Sequence, residues 1–281
     1  MTVTARSLPI WSQAGVRIVE RPVERRGEAR AAGARAADRD LIVAEEPLEL
    51  RIAGESLIVT MRTPGDDLDL AAGLLFTEGV IASMDDVAAI VHAGATAGRD
   101  RENVVDVTAA RGRVLEAAAA RHVLRATAAC GLCGKESIAA VRRRIPPIGD
   151  SDGTRVPLSV VLGLPAAIRD AQPVFAATGG LHAVGLFTPE GALRLVREDV
   201  GRHNAVDKVT GARIVAGLSP SEAALVVSGR AGFELAQKAV AAGTGALVAV
   251  GAPTSLAVQL AEEAGLVLYG FTSSERTVRY A

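Results

Sequence analysis

The last third of the chain alternates short aliphatic runs with segments of helical length, and this pattern restricts the fold more than any other feature. The aliphatic runs, which we predict to be strands, lie at 224–227, 246–250 and 266–269. Helices are predicted around them at 203–216, 231–242 and 255–264. Strands without a polar face are buried on both sides, which is typical of a parallel sheet with helices packed on it. We therefore predict an α/β fold.

The same alternation extends back to about residue 126. We predict a helix at 135–144, which Pro146 and Pro147 end, and another at 158–170. Strands at 183–187 and 192–196 flank the turn 188–191 and are expected to form a hairpin. Residues 126–281 are therefore assigned to one α/β domain.

The chain before residue 126 has a different organisation. Alternating hydrophobic residues predict a hairpin with strands at 48–52 and 57–61, followed by a helix at 68–76. Two further strands are expected at 103–108 and 113–117, with a turn at 111–112. These elements predict a small α+β subdomain over residues 41–125. Residues 1–40, rich in Arg, Ala and acidic residues, are expected to form a mobile arm.

Composition excludes several classes of protein. A net charge of −1 with 22% charged residues argues against a disordered chain and against a general nucleic-acid binder. The charge-free stretches 171–189 and 239–261 are interrupted by Gly, Pro and hydroxyl residues, so neither resembles a membrane span. We expect a soluble cytoplasmic protein with neither nucleic-acid nor membrane partners.

The two cysteines lie close together in the sequence Cys130-Gly131-Leu132-Cys133-Gly134, ahead of a predicted helix. The helix start and Lys135 would stabilise a thiolate there, and the glycines leave the sulfur open to a partner. Thiol–disulfide exchange, half of a metal site, sulfur relay through a persulfide and a purely structural pair all remain open at this point.

The histidines argue against zinc. A Cys-x-x-Cys pair at a helix start is also found in zinc nucleoside deaminases, whose catalytic Glu follows a metal-ligating residue by two positions. None of the four histidines is followed by such a Glu. We therefore predict neither deaminase chemistry nor a bound metal.

Turns made of small residues indicate a ligand site. Ser228-Gly229-Arg230 and the turn 251–255, which ends in Thr254 and Ser255, each follow an aliphatic strand and precede a helix, and Thr178-Gly179-Gly180 precedes another strand. Such turns meet at the carboxyl ends of parallel strands, where helix N–H groups and an Arg suit phosphate oxygens. We predict a nucleotide-like ligand there, although small residues in these turns are also common for packing alone.

The segment Glu198–Lys208 combines acids, bases and an imidazole at a helix entrance. One interpretation is a solvated helix start with local salt bridges; the other is a role in ligand binding or in a dimer contact. Only three of the 31 basic residues are lysines, namely Lys135, Lys208 and Lys238, and all three lie near these candidate sites. A compact ammonium rather than a planar guanidinium is therefore expected to matter at those positions.

These motifs resemble a known family over residues 41–281. The motifs that carry the resemblance are EEPLELRIAG, TPGDDLDLAAGLLFTEGVI, CGLCG, TGGLHA, REDVGRHNAVDKVTG, VSGRAGFELAQKA, APTSLAVQLA and LYGF. Together they are similar to the formate dehydrogenase accessory sulfurtransferase family.

The resemblance implies a function. Family members accept sulfur from a cysteine desulfurase as a protein-bound persulfide and transfer it to the molybdenum cofactor, bis(molybdopterin guanine dinucleotide), which formate dehydrogenase needs for activity. The resemblance also implies a layered fold similar to that of cytidine deaminase, and a homodimer.

The resemblance also implies residue roles. Cys130 matches the persulfide-bearing cysteine and Cys133 its loop partner. The cofactor contact region corresponds to Phe271, Thr272, Ser273, Ser274, Glu275 and Arg276. The chain departs from the family pattern at Gly232, where members often carry Ser, and after Gly270, where an early basic residue is missing and Arg276 could supply the charge.

Two other functions compete with sulfur transfer. A chaperone that binds and delivers the cofactor needs the turns but not the thiols. A thiol–disulfide oxidoreductase needs both thiols but no nucleotide, and the cysteine pair lacks the preceding strand and early chain position of a thioredoxin-like unit.

Overall fold

The computed structural model describes residues 16–23, 38–93, 103–115, 117, 120, 156–219 and 224–281. Its strands are β1 (Ile18–Val23), β2 (Asp38–Val43), β3 (Glu46–Ile52), β4 (Glu55–Arg62), β5 (Val87–His92), β6 (Val104–Ala109), β7 (His182–Phe187), β8 (Leu193–Asp199), β9 (Ala224–Val227), β10 (Ala246–Ala249), β11 (Val267–Gly270) and β12 (Val278–Arg279). Its α-helices are α1 (Asp67–Thr77), α2 (Leu158–Asp170), α3 (Pro173–Thr178), α4 (Arg202–Val215), α5 (Phe233–Ala241) and α6 (Ser255–Ala264), with a 3-10 turn at Met84–Asp86. Within these ranges, no helix has both the length and the hydropathy that a membrane span requires. The predicted helix at 135–144 lies outside the described residues.

A six-stranded sheet forms the larger half, in the order β12-β11-β10-β9-β7-β8. The aliphatic strands β9, β10 and β11 are parallel to one another, which confirms that part of the prediction. The hairpin β7–β8 joins antiparallel to β9, and β12 joins antiparallel to β11. The sheet is therefore mixed: β12 and β7 run against the parallel centre, and the edge strand β8 runs in the same direction as the centre.

Helices cover both faces of this sheet. Along β9, Leu225 and Val227 point into a core formed with α4, α5 and α6, whereas Ala224 and Val226 point into a second core formed with α2. This arrangement explains why the central strands have no polar face. The prediction of an α/β fold with helices packed on a sheet is confirmed.

A four-stranded sheet, in the order β4-β3-β6-β5, forms the smaller half. β3 and β4 are the predicted hairpin, and β3 pairs in parallel with β6. Side chains such as Leu48, Leu50 and Val107 pack beneath α1. The predicted hairpin, helix and 103–108 strand are thus confirmed within a mixed α/β structure.

The strand expected at 113–117 is wrong. Residues 113–115 have no regular secondary structure, and Ala117 is helical. The predicted turn at 111–112 is present, but β6 already has β3 on one side and β5 on the other. A strand returning from that turn would find no free edge of β6 to pair with.

Part of the segment expected to be a mobile arm is a strand. Residues 18–23 of β1 pair antiparallel with residues 38–43 of β2. Arg17 forms an ion pair with Asp66 at the start of α1, so the hairpin is tied to the smaller half of the molecule. Residues 18–23 and 38–40 of the predicted arm therefore belong to a hairpin, and residues 1–15 and 24–37 lie outside the described part of the chain.

Helices α1 and α4 join the two halves, and glycines allow their close contact. A Cβ atom built on Gly73 would overlap the carbonyl oxygen of Asp207, and one on Gly211 would overlap the carbonyl oxygen of Asp69. Both glycines are buried. The two helix backbones therefore touch where no side chain fits between them.

A buried ion pair lies beside this contact. Lys208 Nζ is 2.7 Å from Asp199 Oδ2 and donates to the carbonyl oxygen of Thr63 at 2.8 Å; the side chains of both charged residues are 0% exposed. The Thr63 N–H donates to the same carboxylate, and the Thr63 hydroxyl accepts the N–H of Val200. The residue that follows β4 is thus held by the end of β8 and by α4.

A second buried cation connects the same halves. Lys238 Nζ, on α5, lies 2.9 Å from both carboxylate oxygens of Asp207, 3.0 Å from Glu78 Oε1 and 2.9 Å from the hydroxyl of Thr77. Burial alone lowers the pKa of Lys238, but the two carboxylates outweigh it and the net shift is upward. Lys238 therefore remains charged inside the protein at neutral pH.

These pairs exclude a solvated helix start at the buried residues of the Glu198–Lys208 segment, whereas its role in ligand binding or in a dimer contact stays a prediction. Glu198, Asp199, Asp207 and Lys208 are all buried, so the solvated helix start is wrong for them. At Lys208 and Lys238 each buried ammonium converges on several oxygen atoms from different elements, and the need for a compact cation at these positions stays a prediction. Lys135 lies outside the described residues.

Replacing Gly73 by Ala is expected to lower the free energy of unfolding by about 3 kcal/mol, because the clash is with backbone and no rotamer change relieves it. Gly163→Ala is the matched control: Gly163 is an exposed position of α2, and no atom lies within 4 Å of the place that an added Cβ would take. That variant should gain up to about 1 kcal/mol from helix propensity. Urea unfolding followed by circular dichroism measures both, and equal midpoints would contradict the helix contact.

Replacing Lys238 by Met is expected to cost about 3–5 kcal/mol of unfolding free energy, because two buried carboxylates lose their counter-charge. Lys238→Arg should also destabilise, since the wider guanidinium does not fit the same group of oxygens. Arg194→Met removes an exposed cation of β8 and should change stability by no more than about 0.5 kcal/mol. Wild-type stability of Lys238→Arg in urea unfolding would show that the shape of the cation is unimportant.

Candidate functional site

The two cysteines of the predicted sulfur-carrying loop, Cys130 and Cys133, lie outside the described residues, as does Lys135. Their roles therefore remain predictions from sequence. Within the described ranges no group of three or more His, Cys, Asp or Glu side chains could hold a metal ion.

The predicted ligand turns meet at one edge of the six-stranded sheet. They follow β9, β10 and β11, whose carboxyl ends coincide because these strands are parallel. The N–H of Gly251 donates to the carbonyl oxygen of Gly229 at 2.9 Å, and the N–H of Phe271 donates to that of Gly251 at 3.0 Å. The structure therefore joins Ser228–Arg230, Gly251–Ser255 and the segment after β11 into one continuous surface.

The two helices that begin at this edge differ in how they start. Thr254 precedes α6, and its hydroxyl accepts the N–H of Ala257 at 3.3 Å; Ser255, the first residue of α6, is exposed. Gly232 precedes α5 and has no side chain to cap that helix. The first-turn N–H groups of α5 thus face the edge without a side-chain acceptor from their own cap residue, and the exposed Arg230 lies just before them. This combination suits an anion.

The segment after β11 offers an aromatic ring. Phe271 has a backbone φ of 51°, which is uncommon for a residue with a bulky side chain, and its side chain is 44% exposed. An exposed ring held by strained backbone is often part of a functional site.

The remaining residues of that segment form a compact turn. Thr272 is buried, and its hydroxyl pairs with that of Thr277 at 2.8 Å. The hydroxyl of Ser273 accepts the N–H groups of Glu275 and Arg276. Ser274, Glu275 and Arg276 are exposed and close the turn next to Phe271.

A histidine–glutamate pair lies next to the same helix starts. His203 Nε2 is 2.9 Å from Glu234 Oε2, and Arg202 is 3.8 Å from the same oxygen. Burial lowers the pKa of His203, Arg202 lowers it further, and Glu234 opposes both effects. The imidazole is therefore mostly neutral at pH 7. Glu234 was not predicted from sequence, where it resembles any acidic residue in a first helical turn.

A cavity of about 320 Å³ opens between α2, α3 and the carboxyl ends of β9 and β10. Its lining includes the apolar side chains of Ile168, Phe175 and Leu181 and the polar side chains of Gln172, His182 and Ser228. The Thr178-Gly179-Gly180 turn, one of the predicted ligand turns, contributes both of its glycines to the same cavity. Sequence reasoning missed Gln172, which has no motif around it, and considered His182 only as a possible metal ligand.

Comparison with known proteins agrees with this picture. The FdhD/NarQ family model matches residues 43–281. A protein of Streptomyces avermitilis named sulfur carrier protein FdhD is 53% identical over 236 residues, which cover 83% of this chain and 84% of the relative. A protein of the same name from Anaeromyxobacter dehalogenans is 46% identical over 277 residues, covering 94% and 92%.

A solved structure shares the fold. The crystal structure of a protein from Desulfotalea psychrophila, described as a formate dehydrogenase accessory protein, superimposes with a TM-score of 0.70 at 22% identity, over 94% of this chain and 95% of that chain. The sequence matches extend over most of this chain and of its relatives, and they confirm the resemblance carried by the motifs. The chain belongs to the FdhD/NarQ family.

Proposed function

We infer that this chain is a sulfurtransferase that takes sulfur from a cysteine desulfurase and passes it to the molybdenum cofactor of formate dehydrogenase, bis(molybdopterin guanine dinucleotide). Its relatives are named sulfur carrier proteins. The structural observation that carries the inference is the group of three hydrogen-bonded loops at one sheet edge, with Arg230 and Phe271 exposed on them. That edge suits a ligand with both phosphates and planar rings.

The first chemical step is an exchange between sulfur atoms. The Cys130 thiolate attacks the outer sulfur of the desulfurase persulfide; a new S–S bond forms on Cys130, the old one breaks, and the desulfurase thiolate leaves. Release of the carried sulfur as sulfide takes two electrons, which a second thiol can supply by closing a disulfide with Cys130. Cys133, three residues away, is the second thiol in this scheme.

The cofactor is cargo in this reaction, and the sheet edge fits its nucleotide parts. The pyrophosphate groups would rest on Ser228–Arg230 and on the turn ending in Thr254 and Ser255, where N–H groups and a cation are available. The guanine ring would lie against the segment Phe271–Arg276, whose exposed aromatic ring offers a stacking surface.

Replacing Cys130 by Ala is expected to abolish sulfur loading. After incubation with a cysteine desulfurase and cysteine, intact-protein mass spectrometry of the native chain should show a reducible gain of one sulfur atom, which Cys130→Ala lacks and Cys133→Ala keeps. Cys130→Ala should still bind the cofactor yet leave formate dehydrogenase inactive. Full activation by this variant, or no sulfur gain on any chain that still binds the cofactor, would favour the delivery chaperone instead.

Replacing Arg230 by Ala is expected to weaken binding of GDP, which carries the guanine and pyrophosphate of the cofactor. The loss of one charge-assisted hydrogen bond predicts an increase in Kd of about tenfold, measured by calorimetry. Arg194→Ala is the matched control, because Arg194 is exposed near the start of β8, at the opposite end of that strand from Asp199. Equal affinity of the two variants for GDP would show that Arg230 does not bind the phosphates.

The same measurement separates two residues of the charged segment. Arg202 has a 43% exposed side chain, so its substitution reports on ligand binding, whereas substitution of the buried Lys208 acts first on stability. From the family resemblance we also propose a deaminase-like sheet layer, a homodimer and a cytoplasmic location for this chain.

A further inference from the structure

We propose that the cavity between α2, α3 and β9 binds the bicyclic ring of a pterin, an uncharged planar heterocycle with a 2-amino-4-oxo edge, and that Gln172 reads this edge. The identity of the ligand rests on the proposed function, whereas the cavity and the state of Gln172 do not.

The size and lining of the cavity suit one ring system. Its volume of about 320 Å³ lies at the lower end of the range for small-molecule sites, roughly 300–1,000 Å³. Ile168, Phe175 and Leu181 give it apolar walls, which favour the faces of a planar ring. Arg169 is the one charged side chain among the described lining residues and is itself exposed, so the buried part of the lining is uncharged and suits a neutral ring.

Gln172 supplies the polar recognition. Its side chain is 4% exposed, and Nε2 has no hydrogen-bond partner within the part of the chain that the structure describes. A buried donor without a partner is unfavourable because its desolvation is not compensated, so such groups are rare unless a ligand or water completes them. A carboxamide carries one donor side and one acceptor side, which match the oxo group and the ring N–H of a lactam edge.

The neighbouring polar groups are uncharged as well. Burial lowers the pKa of His182 and the charge of Arg202 lowers it further, whereas Asp199 opposes them. The Ser228 hydroxyl accepts the N–H of Ala183 at 3.0 Å and keeps its own proton to donate. A neutral imidazole and a hydroxyl can exchange hydrogen bonds with ring nitrogens and an amino group without the desolvation cost of an ion.

The wall that carries Gln172 is held in place. The carboxylate of Glu198, 4% exposed, accepts the N–H groups of Val174 at 3.1 Å and Phe175 at 2.8 Å, the first turn of α3. The end of β8 therefore positions α3, and the cavity exists before any ligand arrives. A preformed site avoids ordering costs on binding.

The cavity is continuous with the nucleotide edge. Ser228 lines the cavity and begins the turn that ends in Arg230; Val250 lines it and precedes Gly251. Gly251 in turn bonds to Phe271. A dinucleotide with its guanine at Phe271 and its phosphates on these turns therefore has its pterin end on the side of the cavity.

The test compares ring binding in two variants of the full chain. The wild-type protein is titrated with 6-hydroxymethylpterin, followed by pterin fluorescence, and with guanosine, followed by calorimetry. Gln172→Leu should raise the Kd for the pterin by at least about tenfold. Gln259→Leu, an exposed residue of α6, is the matched control and should leave both affinities unchanged.

A second measurement does not depend on how the variant folds. On the wild-type protein, a pterin methylated at the lactam nitrogen should bind at least about tenfold more weakly than the parent pterin, because the edge that Gln172 reads is blocked. Equal affinities for the two pterins, no pterin binding, or a loss confined to guanosine in Gln172→Leu would each overturn the assignment; the last result would place guanine in the cavity.

Measuring sulfur loading on Cys130 by mass spectrometry distinguishes failure of the pterin assignment from failure of the proposed function. Pterin binding without sulfur loading would overturn the sulfurtransferase and leave the cavity assignment intact. Sulfur loading without pterin binding would overturn the cavity assignment alone.

Discussion

The contact between α1 and α4 is the interaction on which the rest of the structure depends. Gly73 and Gly211 let the two backbones touch, and two buried lysines neutralise the carboxylates that this contact removes from water. Buried charges of this kind contribute little net stability, but they are expensive to leave unpaired. Their geometry therefore allows one relative placement of the two sheets and penalises the others.

This placement also organises the ligand edge. Residues 198 and 199, at the end of β8, have different roles. Asp199 pairs with Lys208 and accepts the N–H of Thr63 at the junction between the two halves. Glu198 accepts N–H groups from the first turn of α3, beside the cavity. The same helix α4 begins with Arg202 and His203 next to Glu234 of α5. The segment from the end of β8 to the start of α4 therefore contributes residues both to the junction between the two halves and to the ligand edge. A change in the packing of α4 would alter the ligand edge directly.

Much of the fold could be predicted because local pattern and tertiary environment agree. The strands β9 and β10 are buried on both faces and, like the aliphatic run of β11, were recognisable from sequence. Their helices and turns follow from the helical period and from the positions of Gly and Pro. The ligand turns could be predicted for the same reason, since parallel strands end at one edge. The prediction of a strand at 113–117 was wrong, because a hydrophobic pattern does not show whether the neighbouring strand β6 still has a free edge.

The sequence by itself determined the family, the order of helices and strands in the larger half, the turns at its ligand edge and the importance of two rare lysines. Only the tertiary structure decided which oxygens those lysines meet, that Glu198 and Asp199 are buried, and that Gln172, His182 and Ser228 line one cavity. The physical reason is that periodicity and turn chemistry act over a few residues, whereas the pairing of a buried charge or amide depends on atoms that are up to 161 residues apart in the chain.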